Sequence, residues 1–201
     1  MRRLVFATRN AHKVGEVREI LAEAGVEVEL LPLPAEVPDV VEDGLTFAAN
    51  ARKKARAAVA ATGLPAIADD SGLCVDALNG MPGVFSARWS GQHGDDAANL
   101  ALVLDQISDV GDDHRGAAFV CAAALVLPGG VERVVEGQLG GKLARAPRGS
   151  GGFGYDPAFV PTGSTSTTAE LTPAEKNAIS HRGEALRGLA PLIVELVPDA
   201  V

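Results

Sequence analysis

Residues 4–30, LVFATRNAHKVGEVREILAEAGVEVEL, decide the fold class. Leu4 to Ala7 is a short apolar run that ends in Thr8-Arg9-Asn10. A helical pattern follows to about Ala24, with Val14, Val17, Ile20 and Leu21 on one face and Gly25 as a natural stop. Val26, Val28 and Leu30 then alternate with Glu27 and Glu29, the period of a half-buried strand. Strand, helix and strand in succession predict an α/β domain.

Outward from this opening the same alternation continues. Pro32 to Gly44 holds three prolines and several acids and reads as loop. Thr46 caps a second helix to about Thr62, ended by Gly63 and Pro65. Ala66-Ile67-Ala68 is a short buried strand leading into Asp69-Asp70-Ser71-Gly72, with Leu73 to Val75 extended and a turn at Gly80, Pro82 and Gly83. Asp95 and Asp96 cap a third helix reaching about Ile107. Residues 117–127 and 131–135, joined by Pro128-Gly129-Gly130, predict an antiparallel hairpin. A glycine-rich loop at 149–157 precedes a short strand at 158–160. Thr172-Pro173-Ala174-Glu175 joins an N-cap, an N1 proline and a capping-box glutamate. The last helix starts near Ser180, and Pro191 is expected to kink or end it. Crossovers mixed with hairpins predict a mixed sheet, and 201 residues fit one domain or two lobes on one core.

A net charge of −8 argues against a nucleic-acid or anionic-membrane surface, since both need a basic face. It leaves room for one small anion met by a few converging cations and a metal. No run is long enough to span a bilayer, and the N-terminal apolar run is too short for a signal peptide. Cys74 and Cys121, both in apolar stretches, read as reduced thiols of a cytoplasmic protein.

Four segments carry possible chemistry. Thr8-x-Asn10-x-x-Lys13 stands at a strand-to-helix junction, where free N–H groups and Lys13 suit a phosphate; an ordinary cap with a solvated lysine is the alternative. Asp69 and Asp70 are adjacent carboxylates after a buried strand, costly without a cation or donors, and extended chain points them to opposite sides. An Asp-rich turn is the plain reading, and Glu42 upstream is a possible second carboxylate. Gly149-x-Gly151-x-x-Gly154 matches a dinucleotide fingerprint formally, but Tyr155-Asp156-Pro157 stands where its helix should begin. That loop instead presents Phe153 for stacking on a base, or buries it as a core anchor. Lys176 and Ser180-His181-Arg182 place cations at two helix starts, where they either bind an anion or are merely solvated. Nothing matches a P-loop, zinc-protease or serine-hydrolase motif.

In order, TRNAHK, ADDSGL, ALNGMPGVFSARWSG, GGFGYDP and EKNAISHRGEAL resemble the inosine/xanthosine triphosphate pyrophosphatase family across nearly the whole chain. The resemblance implies an α/β fold over residues 1–201, two lobes around a long mixed sheet with flanking helices and a nucleotide cleft between them. It implies a homodimer that uses Mg²⁺ and hydrolyses ITP, dITP and XTP to the monophosphate and pyrophosphate, clearing deaminated purines from the nucleotide pool. Carried over by motif, Thr8, Arg9, Asn10, Ala11, His12, Lys13 and Ser71 would bind the triphosphate. Asp70 would be general base and metal ligand, helped by Glu42, with Asp69 the second choice of base. Phe153, Gly154, Tyr155, Asp156, Lys176, His181 and Arg182 would hold the nucleotide, mostly around the base, and Lys54 is a looser phosphate candidate. Two departures stand out: Arg9 replaces a frequent glycine, narrowing or further charging the phosphate loop, and Pro191 is unusual in the last helix. The rival readings are a non-catalytic nucleotide sensor and a phosphatase that releases orthophosphate.

Overall fold

The computed structural model describes residues 1–199, and of Ala11 and His12 the backbone alone. Its elements run β1 (Arg2–Phe6), α1 (Ala11–Glu23), β2 (Val28–Pro32), α2 (Phe47–Thr62), β3 (Ala66–Val75), β4 (Met81–Pro82), α3 (Asp96–Gln106), β5 (Gly116–Val126), β6 (Glu132–Leu143), β7 (Phe159–Pro161), α4 (Pro173–Ile179) and α5 (His181–Leu196). The strands form one sheet in the order β2-β1-β3-β5-β6-β7, with β4 paired to β3. β1 is parallel to β2 and β3, Arg2 standing opposite Val28 and Val5 opposite Ala66. β4 is antiparallel to β3, and β7 to β6. The fold is therefore mixed α/β, as read from the opening strand–helix–strand.

Local signals explain most boundaries. The Thr46 hydroxyl accepts from Ala49 N, and Gly63 closes α2 in the left-handed region at φ 69° with its N–H on Val59 O. Thr172 and Glu175 complete the capping box of α4. Three boundaries depart from the sequence reading. β3 runs unbroken for ten residues through Asp69-Asp70-Ser71-Gly72, because partners on the same unit compensate both carboxylates within the strand. β6 reaches Leu143, well past Val135, although Gly137, Gly140 and Gly141 resemble breakers. Two of these glycines instead permit close approach: a Cβ at Gly137 would lie 2.3 Å from His181 O, and one at Gly141 2.3 Å from Val160 O. α5 continues through Pro191, whose ring is exposed while Leu186, Leu189, Ala190 and Ile193 stay buried. The burial of that face outweighs the roughly 3 kcal/mol cost of an interior proline.

The chain divides into two compact units. The first comprises Met1–Asp70, Cys121–Gly137 and the chain from His181 on. Its core joins Leu4 and Phe6 of β1, Val17, Ile20 and Leu21 of α1, Ile67 of β3, Cys121, Ala123 and Leu125 of β5 and the buried face of α5. α2 buries small residues, Ala51, Ala55 and Ala58, with Phe47 and Asn50 on the same stripe.

The second unit comprises Ser71–Val120 and Gln138–Ser180. Its core packs Leu73 and Val75 of β3 with Leu100 and Val103 of α3, Phe119, Leu143 and Phe159; the Phe119 and Phe159 rings are 4.6 Å apart. Trp89, the sole tryptophan, packs at the edge of this core with its indole N–H on Gln106 Oε1 at 2.8 Å. Tyr155, the sole tyrosine, is buried there and donates to Ser86 O at 2.8 Å. Neither cysteine is in a disulfide, and no helix among the described residues is long and apolar enough to cross a membrane.

The close approach at Gly137 gives a test. Gly137→Ala should lose about 1–3 kcal/mol, because its new methyl meets α5 main chain that cannot step aside. Gly188→Ala meets only the tip of Val135 and gains helix propensity, so it should stay within about 1 kcal/mol of the parent. Urea unfolding followed by far-UV circular dichroism distinguishes the two.

Candidate active site

The first unit gathers the charged residues singled out from the sequence. β1 hands over to α1 through a tight turn in which Asn10 N–H donates to Thr8 Oγ1 at 3.1 Å. Lys13, one turn into α1, donates to Asp69 Oδ2 at 2.9 Å. The same oxygen accepts Arg182 Nε at 3.0 Å, and Arg182 Nη1 donates to Glu16 at 2.8 Å. Lys13, Asp69, Arg182 and Glu16 thus alternate in charge, with Asp69 and Arg182 almost wholly buried. Burial pushes the Asp69 carboxyl up, but Lys13, Arg182 and Lys54 together more than offset it and hold it far below the usual carboxylate range.

Asp70, the next residue, has a different set of partners. Asn50 Nδ2 donates to its Oδ2 at 3.0 Å, and Lys54 Nζ stands 3.4 Å from its Oδ1. The same ammonium donates to Glu42 Oε1 at 2.8 Å. Asn50, fully buried, also accepts Gly44 N–H at 2.8 Å, so one amide fixes both Asp70 and the segment that carries Glu42. Burial and the Glu42 charge raise the Asp70 carboxyl above its ordinary value, against the pull of Lys54 and Asn50. Two adjacent aspartates are thus driven in opposite directions, one locked as an anion and one made more basic. Lys54 remains an ammonium: burial lowers it, but Asp70, Asp69 and Glu42 raise it further.

The second unit holds the aromatic element. Gly152 and Gly154 adopt positive φ on either side of Phe153, which is 51% exposed and so is no core anchor. Lys176 Nζ stands 5.0 Å from the centre of that ring. Asp156, buried, accepts from Phe153 N at 2.8 Å, Thr168 Oγ1 at 2.8 Å and Lys176 at 2.5 Å. Gly154 N donates to Asp96 Oδ2 at 2.9 Å. Tyr155 faces its own core, where burial carries its hydroxyl well above the ordinary value.

Residues 4–192 match the Ham1 family. A dITP/XTP pyrophosphatase of Streptomyces coelicolor is 63% identical over 199 residues, covering 98% of this chain and all of the relative. The chain belongs to the Ham1 family. The solved structure of a Mycobacterium abscessus nucleoside-triphosphatase/dITP/XTP pyrophosphatase is 57% identical, covers 95% of this chain and 99% of its own, and superposes with a TM-score of 0.79. A HAM1 protein from Coxiella burnetii, 44% identical, covers 97% of this chain and 100% of its own with a TM-score of 0.89.

In this Ham1 chain the predicted residues fall into two sets. Thr8, Arg9, Asn10, Lys13, Glu42, Asp70, His181 and Arg182 lie in the first unit, and Phe153 to Asp156 with Lys176 in the second. Ser71 follows Asp70 in β3 as the first residue of the second unit, and the side chains of Ala11 and His12 lie outside the described residues. Arg9 turns its guanidinium to the loop after β2. Glu42 and Asp70 are the carboxylates able to share a cation; no cluster of three or more His, Cys, Asp or Glu ligands occurs among the described residues. Sequence reasoning missed Asn50, Glu16, Thr168 and Asp96. Asn50 had a usable signal, a polar residue on the apolar stripe of α2. The others are joined to their partners only by tertiary folding.

The two aspartates should part company in stability as well as in charge. Asp69, held low, stabilises the fold above the ordinary carboxylate range, and that contribution is lost as pH falls below about 4, where the unfolded chain takes up the proton. Asp69→Asn should therefore cost about 3–5 kcal/mol at pH 7, leaving Arg182 without its buried counter-charge, and the deficit should shrink below pH 4. Asp70, held high, opposes folding once ionised, so Asp70→Asn should unfold no earlier than the parent at pH 7. Metal-free urea titrations at both pH values check this.

Proposed function

We propose that this chain hydrolyses ITP, dITP and XTP to the nucleoside monophosphate and pyrophosphate with Mg²⁺ as cofactor. The observation that carries the proposal is the Glu42–Lys54–Asp70 group: two carboxylates sharing one cation, one of them made more basic, beside the Thr8–Lys13 turn. Membership of the Ham1 family and the names of its close relatives support the same substrate class.

The residues fit Mg²⁺, which is commonly held by one or two carboxylates plus substrate phosphates and water. Glu42 and Asp70 would hold it, and bound there it would neutralise phosphate charge around the α-phosphorus. Asp70 accepts the proton of the attacking water, a task its raised basicity suits. Thr8, Asn10 and Lys13 meet the phosphate oxygens with the N–H groups at the start of α1, and Ser71 adds a hydroxyl. Asp69 keeps Lys13 charged and aimed instead of acting as base.

Phe153 stacks on the purine, with Lys176 and Asp156 held to it by their own contacts. Donors aimed at the 6-keto oxygen accept hypoxanthine and xanthine, whereas the 6-amino group of adenine leaves them unpaired. Lys176, His181 and Arg182 are those donors, Arg182 held in orientation by Asp69 and Glu16. The protein works as a cytoplasmic homodimer on free nucleotides.

Purified protein with ITP and Mg²⁺ should give IMP and pyrophosphate in equal amounts, with ATP and GTP nearly untouched. Orthophosphate as the direct product, or binding without turnover, overturns the proposal. Asp70→Asn should lower kcat by roughly 10²–10⁴-fold while ITP still binds. Phe153→Ala should weaken ITP binding by about 1–3 kcal/mol with kcat less affected.

A further inference from the structure

Residues 33–46, between β2 and α2, form neither strand nor helix, yet they deliver Glu42. Within the first half of this stretch Val37 is buried and its N–H donates to Pro34 O at 3.2 Å, and Arg9, from another part of the first unit, binds the stretch from outside it. Arg9 Nη1 donates to Leu33 O at 3.4 Å and to Pro34 O at 3.1 Å. Its Nη2 donates to Ala35 O at 3.4 Å and also to Val37 O. Its Nε stands 3.5 Å from the Asp39 carboxylate. A guanidinium has five N–H groups in a rigid fork; here its two terminal nitrogens meet four main-chain carbonyls between residues 33 and 37, and its Nε edge faces the Asp39 carboxylate as an exposed ion pair.

The second half is fastened independently. Lys53 pairs with Asp43 at 2.5 Å, Lys54 with Glu42 at 2.8 Å, and Gly44 N–H with Asn50 at 2.8 Å. Between the last carbonyl that Arg9 binds, that of Val37, and Glu42 lie residues 38–41. Each residue of chain reaches at most about 3.6 Å, so holding residue 37 limits where Glu42 can go. Arg9 sits one residue from both Thr8 and Asn10, so the strap ties the carboxylate-bearing loop to the phosphate-binding turn.

We propose that Arg9 is a positioning residue, a guanidinium strap that holds residues 33–37 against the β1–α1 turn and so sets Glu42 for the metal. The inference rests on the proposed metal-dependent reaction for its consequence, but not for the strap itself.

Hydrogen exchange and metal dependence, measured on the full chain as Arg9→Ala, Arg9→Lys and parent, test the two parts separately. Without metal or nucleotide, the Val37 amide, bonded to Pro34 O, should exchange at least about tenfold faster in both variants while α1 and α2 keep their protection. Lysine should not rescue, because one ammonium brings three donors and no fork. The half-saturating Mg²⁺ concentration for ITP turnover should rise at least about threefold, short of the roughly 10- to 100-fold typical when a direct partner of a metal ligand is lost, with kcat at saturating Mg²⁺ within about threefold. In a Glu42→Gln background Arg9→Ala should add less than about twofold, since the residue it positions is already gone. Unchanged exchange, or full rescue by lysine, overturns the strap. Faster exchange with an unchanged Mg²⁺ requirement overturns its action on Glu42. If the parent does not hydrolyse ITP at all, the proposed reaction fails while the exchange result still decides the strap.

Discussion

The Asp69 carboxylate, buried between Lys13 and Arg182, is the constraint on which the first unit depends. A lone charge at that depth would be protonated or expelled, so the position is tenable only because two cations converge on one oxygen. Those cations come from α1 and α5, the helices with the unit's largest apolar faces. Packing of the hydrophobic faces and pairing of the charges therefore require the same placement. Lys13 is fixed at the start of α1 by a carboxylate locked as an anion, and the more basic carboxylate is the neighbouring residue.

That division of labour follows from the strand. In extended chain, consecutive side chains leave on opposite sides, so Asp69 and Asp70 meet unlike surroundings without any special turn. One side supplies two cations; the other supplies an amide, one shared ammonium and a second carboxylate. The resulting split in basicity needs only a β period and the partners that α1, α2 and α5 bring.

Much of this was legible in the sequence and some was not. Caps, the opening crossover and the apolar face of α1 are local and were read correctly, because each depends on residues within a turn or two. The paired aspartates were located but assigned to a strand end, since their compensating charges sit 56 and 113 residues away for Asp69 alone. The continuation of β6 past Val135 is not legible for a related reason: Gly137 and Gly141 mark where α5 and β7 press on the strand, a fact of packing, not of propensity. Arg9 illustrates the same limit. Its place in the TRNAHK motif implies a phosphate, and only the fold reveals four carbonyls and a carboxylate around it on a neighbouring loop.

The placement of Trp89 and Tyr155 has a practical consequence. Both ultraviolet chromophores of any strength lie in the second unit, packed on or in its core. The first unit, with Asp70, Glu42 and Lys54, contributes only phenylalanines to absorption and is nearly silent to intrinsic fluorescence. An emission melt of this protein is consequently a record of one half of it. Damage around the carboxylates can leave such a spectrum untouched, and a probe introduced into α1 or α2 would make that half visible.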